Sequence, residues 1–209
     1  MRQNAMTVEG VTVTNDERAL RPVESGPGVL VHPTADRRLA AEHWLLSTLD
    51  DQGRVRARRE WQRDGLTLLP LGTLFSAVRL PQRLVIAVAG ERGGPSAYVD
   101  AFLDEALAGG PVICDPGGHR YYALVPATMP ITWHKAVDEW RSSDVDCLGR
   151  DTYLGVPRVD LDILNARTYA SYWSVPMPSM ATLCAPLTVA RLIAAGRHQL
   201  SRQQPDEDR

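Results

Sequence analysis

"CDPGGHRYYALVP", residues 114–126, decides how the chain is read. The apolar stretch "PVICD" (111–115) runs into Pro116-Gly117-Gly118. His119 follows, then a second apolar run, "RYYALVP" (120–126). Two strand-like runs joined by a Pro-Gly-Gly turn predict an antiparallel hairpin. The glycines let the backbone take positive φ and approach a ligand closely. A histidine opening the second strand can face a groove floored by the sheet, or it can simply ride on the turn. From the residues alone both readings of His119 stay open.

Elements alternate on either side of the hairpin. "LVIAVAG" (84–90) is a continuous apolar run and predicts a buried strand. Gly93-Gly94-Pro95-Ser96 opens a helix over "AYVDAFLDEALA", closed by Gly109-Gly110. "LTLLPLGTLFSAVRLP" (66–81) predicts one or two strands. Thr34 caps a helix whose Leu39, Leu46 and Leu49 lie near one face. Thr132 caps a short helix that turns Trp133, Val137 and Trp140 inward. "DTYLGVPRV" and "SYWSVP" read as strands, and Pro186 opens a helix ending at Gly196. Hairpins mixed with helices predict an α+β fold, a mixed or antiparallel sheet flanked by helices. Residues 1–28 read as a polar tail with at most one short strand near Val11–Val13. Residues 29–196 read as one domain and 197–209 as a second tail.

Composition limits the function classes. At 209 residues and 44% hydrophobic, the chain can bury one good-sized core. A net charge of −2 argues against a protein whose whole surface binds nucleic acid, although a local patch still can. Lys135 is the only lysine. Abundant Ala, Gly and Pro accompany the arginines, a pattern that GC-rich codon usage accounts for. Cys114, Cys147 and Cys184 are widely spaced, so neither a zinc knuckle nor a disulfide framework is expected. Reduced thiols, no membrane-spanning run and no leader pattern give a cytoplasmic expectation without membrane contact.

Two further groups of residues can carry chemistry. In "DVDCLGRDTYLGVPR" (144–158), Asp144 and Asp146 alternate, which on a strand puts both carboxylates on one face, where they can hold a Mg²⁺ ion. The bland alternative is a solvated loop. Between Arg37 and Arg92 there are ten arginines against six acidic residues. Arg56, Arg59 and Arg63 can share one helix face and contact phosphates, or form a solvated stripe. Trp133 and Trp140 have helical spacing and read as core, while at most one of Tyr121 and Tyr122 can face a groove.

Two of these stretches together resemble a family. "DPGGHRYYALVP" and "VDCLGRDTYLGVP" are similar to two successive motifs of primase–polymerase domains, the archaeo-eukaryotic primase superfamily. "LPLGTLFSAVRLP" resembles the first-motif strand of actinobacterial proteins labelled bifunctional DNA primase/polymerase, and "YWSVPMPSMATLCAPLTVARLIAAG" has a similar counterpart there. The similarity spans about residues 60 to 196. It implies a primase–polymerase-like fold, with His119 contacting nucleotide phosphates and Asp146 as a catalytic, metal-binding acid. Gly117, Gly118 and Arg120 would complete the phosphate-binding turn. The resemblance also implies that the Ser76 position, His119 and Asp146 line one cleft. Mg²⁺ or Mn²⁺ would be the cofactor, held by Asp144 and Asp146, if the site is active. The chain departs from the pattern where two carboxylates are expected, because Phe75-Ser76-Ala77-Val78-Arg79 supplies none.

The expected function is therefore a catalytically degenerate primase–polymerase-like protein that binds single-stranded DNA or a nucleotide, or that regulates. Two alternatives stand beside it. One is an active primase, polymerase or nucleotidyltransferase using Asp115, Asp144 and Asp146. The other is a module that binds a protein partner and has no nucleic-acid role.

Overall fold

The computed structural model describes residues 23–26, 29–31 and 33–203. Strands β1 (Val23–Gly26) and β2 (Val29–Val31) form a small hairpin. Helices α1 (Thr34–Leu46) and α2 (Asp51–Asp64) follow, then β3 (Leu66–Pro70) and β4 (Phe75–Pro81). Helices α3 (Gln82–Ala89) and α4 (Ala97–Ala106) lead to β5 (Val112–Asp115) and β6 (Arg120–Pro126). Two short helices, α5 (Met129–Thr132) and α6 (His134–Trp140), and a 3₁₀ turn, Arg141–Ser143, precede β7 (Asp146–Leu148). The chain continues through β8 (Tyr153–Pro157), β9 (Tyr172–Val175) and α7 (Pro186–Gln203).

The architecture is α+β, and every strand pairing is antiparallel. The central sheet has the order β7-β4-β6-β5-β9, and β3 pairs with β8 in a separate two-stranded sheet. Alternate residues of each strand feed two cores. On one face Val78, Leu80, Tyr121, Ala123, Val112 and Cys114 pack under α3, α4, α6 and α7. On the other, Phe75, Ala77, Leu124, Ile113 and Trp173 pack under α1, α2 and the β3–β8 pair. Two tryptophans fasten that second layer. Trp61 on α2 donates Nε1–H to the Val156 carbonyl at 2.8 Å, and Trp173 donates to the Pro157 carbonyl at 3.0 Å.

Several elements differ from the expectation. "LVIAVAG" is not a strand but the body of α3. Its apolar residues Leu84, Val85, Ile86, Ala87 and Ala89 are all buried, because the helix is packed against the sheet and against α7. Continuous apolarity does not separate a buried helix from a buried strand. The boundary residues did carry the signal: Pro81 caps the start, and Gly90 closes the end with φ 74°. The first predicted helix stops at Leu46, so Leu49 lies beyond it, and Thr34 makes no capping bond. Thr132 ends α5 rather than capping α6, and its hydroxyl bonds the Thr128 carbonyl. Helix α7 does not end at Gly196 but runs to Gln203, into the stretch expected to be a tail. Strand β1 likewise falls within the expected tail 1–28, whereas Val11–Val13 lies outside the described residues. Gly196 is buried where α7 crosses α3. A Cβ there would sit 2.5 Å from Leu84 Cδ2 and 3.1 Å from the Leu84 carbonyl oxygen. The glycine is a packing residue.

A polar hub lies at the β9 edge. The pairing of β5 with β9 is irregular between Val112 and Ile113, and Ser174 is the extra residue. Ser174 and Tyr172 both donate hydroxyl hydrogen bonds to Asp100 of α4, the tyrosine at 3.1 Å. Burial pushes the Asp100 carboxyl above its ordinary value despite those two donors.

Two outcomes follow from this packing. Gly196→Val should lower unfolding stability by about 2–3 kcal/mol, read by urea denaturation, because the crossing has no room for the branched side chain. Asp100 should favour folding more as the solution becomes acidic. Its folded pKa is raised, so the folded state holds the proton more firmly than the unfolded chain. The stabilisation grows as pH falls through the raised value and levels off near the ordinary carboxylate pKa. Urea midpoints from pH 7 to pH 4 should therefore fall less steeply for the wild type than for Asp100→Asn.

Candidate functional site

The site is built at one end of the central sheet. Strands β4 and β6 pair residue for residue, from Phe75 opposite Pro126 to Pro81 opposite Arg120. Pro81 ends its strand beside the β5–β6 turn, and α3 starts there at once. The Gln82 amide donates to the His119 carbonyl at 3.0 Å, so the first turn of α3 is stitched to the hairpin tip. The turn has its own lock. Asp115 Oδ1 accepts from the Gly118 amide at 3.1 Å, and the His119 amide donates to the Pro116 carbonyl at 3.3 Å. A Cβ on Gly118 would lie 2.3 Å from Asp115 Oδ2, so a larger residue would push the carboxylate out of this lock.

His119 closes this turn with φ 53°, left-handed backbone that a histidine adopts at a cost. It is exposed, and it lines a groove of about 700 Å³. Pro81, Ile86 and Ala87 give the groove an apolar floor, and Leu200 and Gln203 bring in the far end of α7. Arg83, Arg92 and Arg120 supply three guanidinia, against Glu91 and Asp144. Arg83 and Arg92 make no ion pair among the described residues, whereas Arg120 Nη2 lies 3.0 Å from Asp144 Oδ2. Asp144 also has left-handed backbone, φ 61°. Volume, apolar floor and cationic rim together suit one small anionic ligand.

The structure sorts the residues named from sequence into separate places. Gly117, Gly118, His119 and Arg120 stand together at the turn, with Asp144 beside them. Asp146 is on β7 opposite Arg79, and their side chains form an ion pair. It does not line the groove. Tyr122 stands in the same row of the sheet as that pair. Burial and the Asp115 carboxylate push its phenol up, against the opposing influence of Arg79 and Arg120. Ser76 and Val78 belong to the opposite face of β4. Val78 is in the α3–α7 core, and Ser76 is fully buried, with its hydroxyl on the Ala127 carbonyl at 3.3 Å. The three-residue cleft of Ser76, His119 and Asp146 is therefore not formed.

The expected metal pair fares similarly. Asp144 precedes β7 in a left-handed turn instead of alternating along the strand. Each of Asp144 and Asp146 is neutralised by its own arginine, and Asp115 is occupied by the turn. Among the described residues no three His, Cys, Asp or Glu side chains gather to hold an ion. As arranged, these carboxylates do not fit a Mg²⁺ or Mn²⁺ site. The thiols offer no nucleophile either, because burial pushes Cys114, Cys147 and Cys184 up to about 12.

The arginine stripe on α2 is largely spent on local carboxylates. Arg56 faces Glu60, Arg63 pairs with Asp64, Arg54 with Asp51, and Arg58 with Glu42 of α1. Of the three named for nucleic acid, only Arg59 has no ion pair among the described residues. Helix α2 also covers the opposite face of the sheet from α3 and α7, so the stripe and the groove are apart. Sequence reading missed Arg83 and Arg92. They flank the segment misread as a strand. Read as a helix from Pro81 to Gly90, it would have put Arg83 in the first turn, beside the hairpin tip, and Arg92 just past the far end.

The backbone at His119 gives a direct check. His119→Gly should raise folding stability by about 1 kcal/mol, since glycine adopts the left-handed turn without penalty. Chemical denaturation reads this. A loss of stability instead would mean that the imidazole is a structural contact of the turn. Compared with protein-family models, curated proteins and solved structures, the chain matches none.

Proposed function

We propose that this chain is a binding module for a phosphate-bearing ligand of nucleotide type, taken up in the groove at the His119 turn. One observation carries the reading. Two guanidinia without ion pairs among the described residues, Arg83 and Arg92, stand with His119 and Arg120 around an apolar floor. Arginine forks hold phosphate oxygens in bidentate geometry. A polymerase reaction is the weaker reading, because the carboxylates it needs are engaged by Arg79 and Arg120.

A second observation favours a longer polyanion, a single-stranded nucleic acid, as the alternative ligand. Helix α7 carries no Asp or Glu over its 18 residues, although acidic residues outnumber basic ones in the chain. Its Arg191, Arg197 and Arg202 are exposed, and the same helix ends at the groove through Leu200 and Gln203.

Titration with ATP at low salt tests the first reading. The wild type should bind, binding should weaken as salt rises, and the Arg83→Gln/Arg92→Gln double variant should lose about ten-fold or more in affinity. Unaltered binding in that variant would move the site elsewhere. Oligodeoxynucleotide binding tests the second. Replacing Arg191, Arg197 and Arg202 with glutamine should flatten the slope of log K against log salt by about 2, if each contacts one phosphate.

A further inference from the structure

Two carboxylates line the groove, Glu91 and Asp144, and the inference drawn for the second rests on the phosphate-binding reading above. Asp144 lines the groove with Arg120, and the two side chains form an ion pair at 3.0 Å. Local backbone sets the carboxylate there. Asp144 closes the Arg141–Ser143 turn in left-handed conformation, its amide donating to the Arg141 carbonyl at 3.1 Å. The next residue, Val145, is fully buried, and its amide donates to the Trp140 carbonyl at 3.3 Å. Aspartate is therefore aimed at Arg120 by a turn anchored on both sides.

The pair it makes is half-exposed, 28% for Arg120 and 39% for Asp144, and pairs so exposed contribute little to folding. Its larger effect is on the groove. An anion entering beside Arg83 and Arg92 meets Asp144 as a like charge, and it meets Arg120 already occupied. We propose that Asp144 is an internal counter-anion, an autoinhibitory contact that a phosphate-bearing ligand must displace from Arg120. Binding is then an exchange of one anion for another on the same guanidinium. The turn itself is held by main-chain bonds and by buried Val145, so it stays in place when the carboxylate leaves Arg120. Asp146 provides an internal contrast. It carries the same charge and also pairs with an arginine, Arg79, but it does not line the groove.

Calorimetric titration of the full chain with tripolyphosphate and with ATP tests this. Asp144→Asn should tighten both by about ten-fold, since it removes a like charge and frees one guanidinium for a charge-assisted hydrogen bond. Asp144→Gly, which suits the left-handed turn best, should do the same and guards against a folding artefact of the first variant. Asp146→Asn changes the net charge equally and should shift affinity by no more than about two-fold. The proposal is overturned if both Asp144 variants bind no tighter than the wild type, or if Asp146→Asn tightens binding as much as they do. If neither the wild type nor the Asp144 variants bind tripolyphosphate or ATP, the phosphate-binding reading fails, and this one falls with it.

Discussion

The register between β4 and β6 is the constraint on which the site depends. Seven residues of each strand pair without a break, from Phe75 and Pro126 to Pro81 and Arg120. In antiparallel pairing a slip of one residue would turn every side chain to the other face. Here it would send Phe75 and Ala77 into the α3–α7 layer and Val78 and Leu80 under α1 and α2. Burial on both faces forbids this, because Phe75, Ala77, Val78 and Leu80 are all inaccessible to solvent. The register in turn fixes where Pro81 falls, so α3 begins against the hairpin tip and the Gln82 amide reaches the His119 carbonyl. The groove is the space between the start of that helix and the turn that receives it.

The same register decides which charges meet. Arg79 is opposite Asp146 and Tyr122, so a row that starts with polar groups at the β7 edge runs through Tyr122 into Ile113 and Trp173 of the second core. A carboxylate opposite an arginine on a neighbouring strand is a pairing arrangement before it is a metal site. On α2 the outcome is similar, with four of its arginines answered by nearby acids. The groove holds two arginines, Arg83 and Arg92, without an ion pair among the described residues, a state that Arg59 on α2 and the arginines of α7 share. In a chain with nearly as many basic as acidic residues, unpaired cations around a concavity are more informative than cations crowded along a helix.

Much of the fold was legible in the sequence, for physical reasons. The hairpin at 112–126 was readable because Asp115, Pro116 and the two glycines state a turn in chemical terms, and the flanking runs are apolar. The α4 start was readable because Ser96 is an N-cap, and its hydroxyl does accept from the Val99 amide at 3.3 Å. The segment at 84–90 was misread because a helix buried on most sides shows no polar stripe. Gly196 was misread as a stop because a glycine that ends a helix and a glycine that admits a crossing helix look alike in one dimension. The site was legible only in part. The turn residues were found, but Asp146 and Ser76 were grouped with His119 by likeness of motifs, and strand parity places them elsewhere. Arg83 and Arg92 could not be found while their segment was read as a strand.

Left-handed backbone occurs at six non-glycine residues among those described, and two of them belong to the groove. His119 and Asp144 are both non-glycine residues in left-handed conformation, and both line the groove. Glycine would serve either turn better as far as folding is concerned. The two cases differ in kind. Aspartate tolerates this conformation comparatively well, and its carboxylate gains Arg120 in return. His119 gains no side-chain hydrogen bond within the described structure, and its imidazole is exposed. The contacts that fix its backbone, Pro116 to His119 and His119 to Gln82, use only main-chain atoms and do not depend on the imidazole. Among the described residues nothing bonds the histidine side chain, and it stands beside Arg120 at the mouth of the groove, where the proposed ligand would meet it.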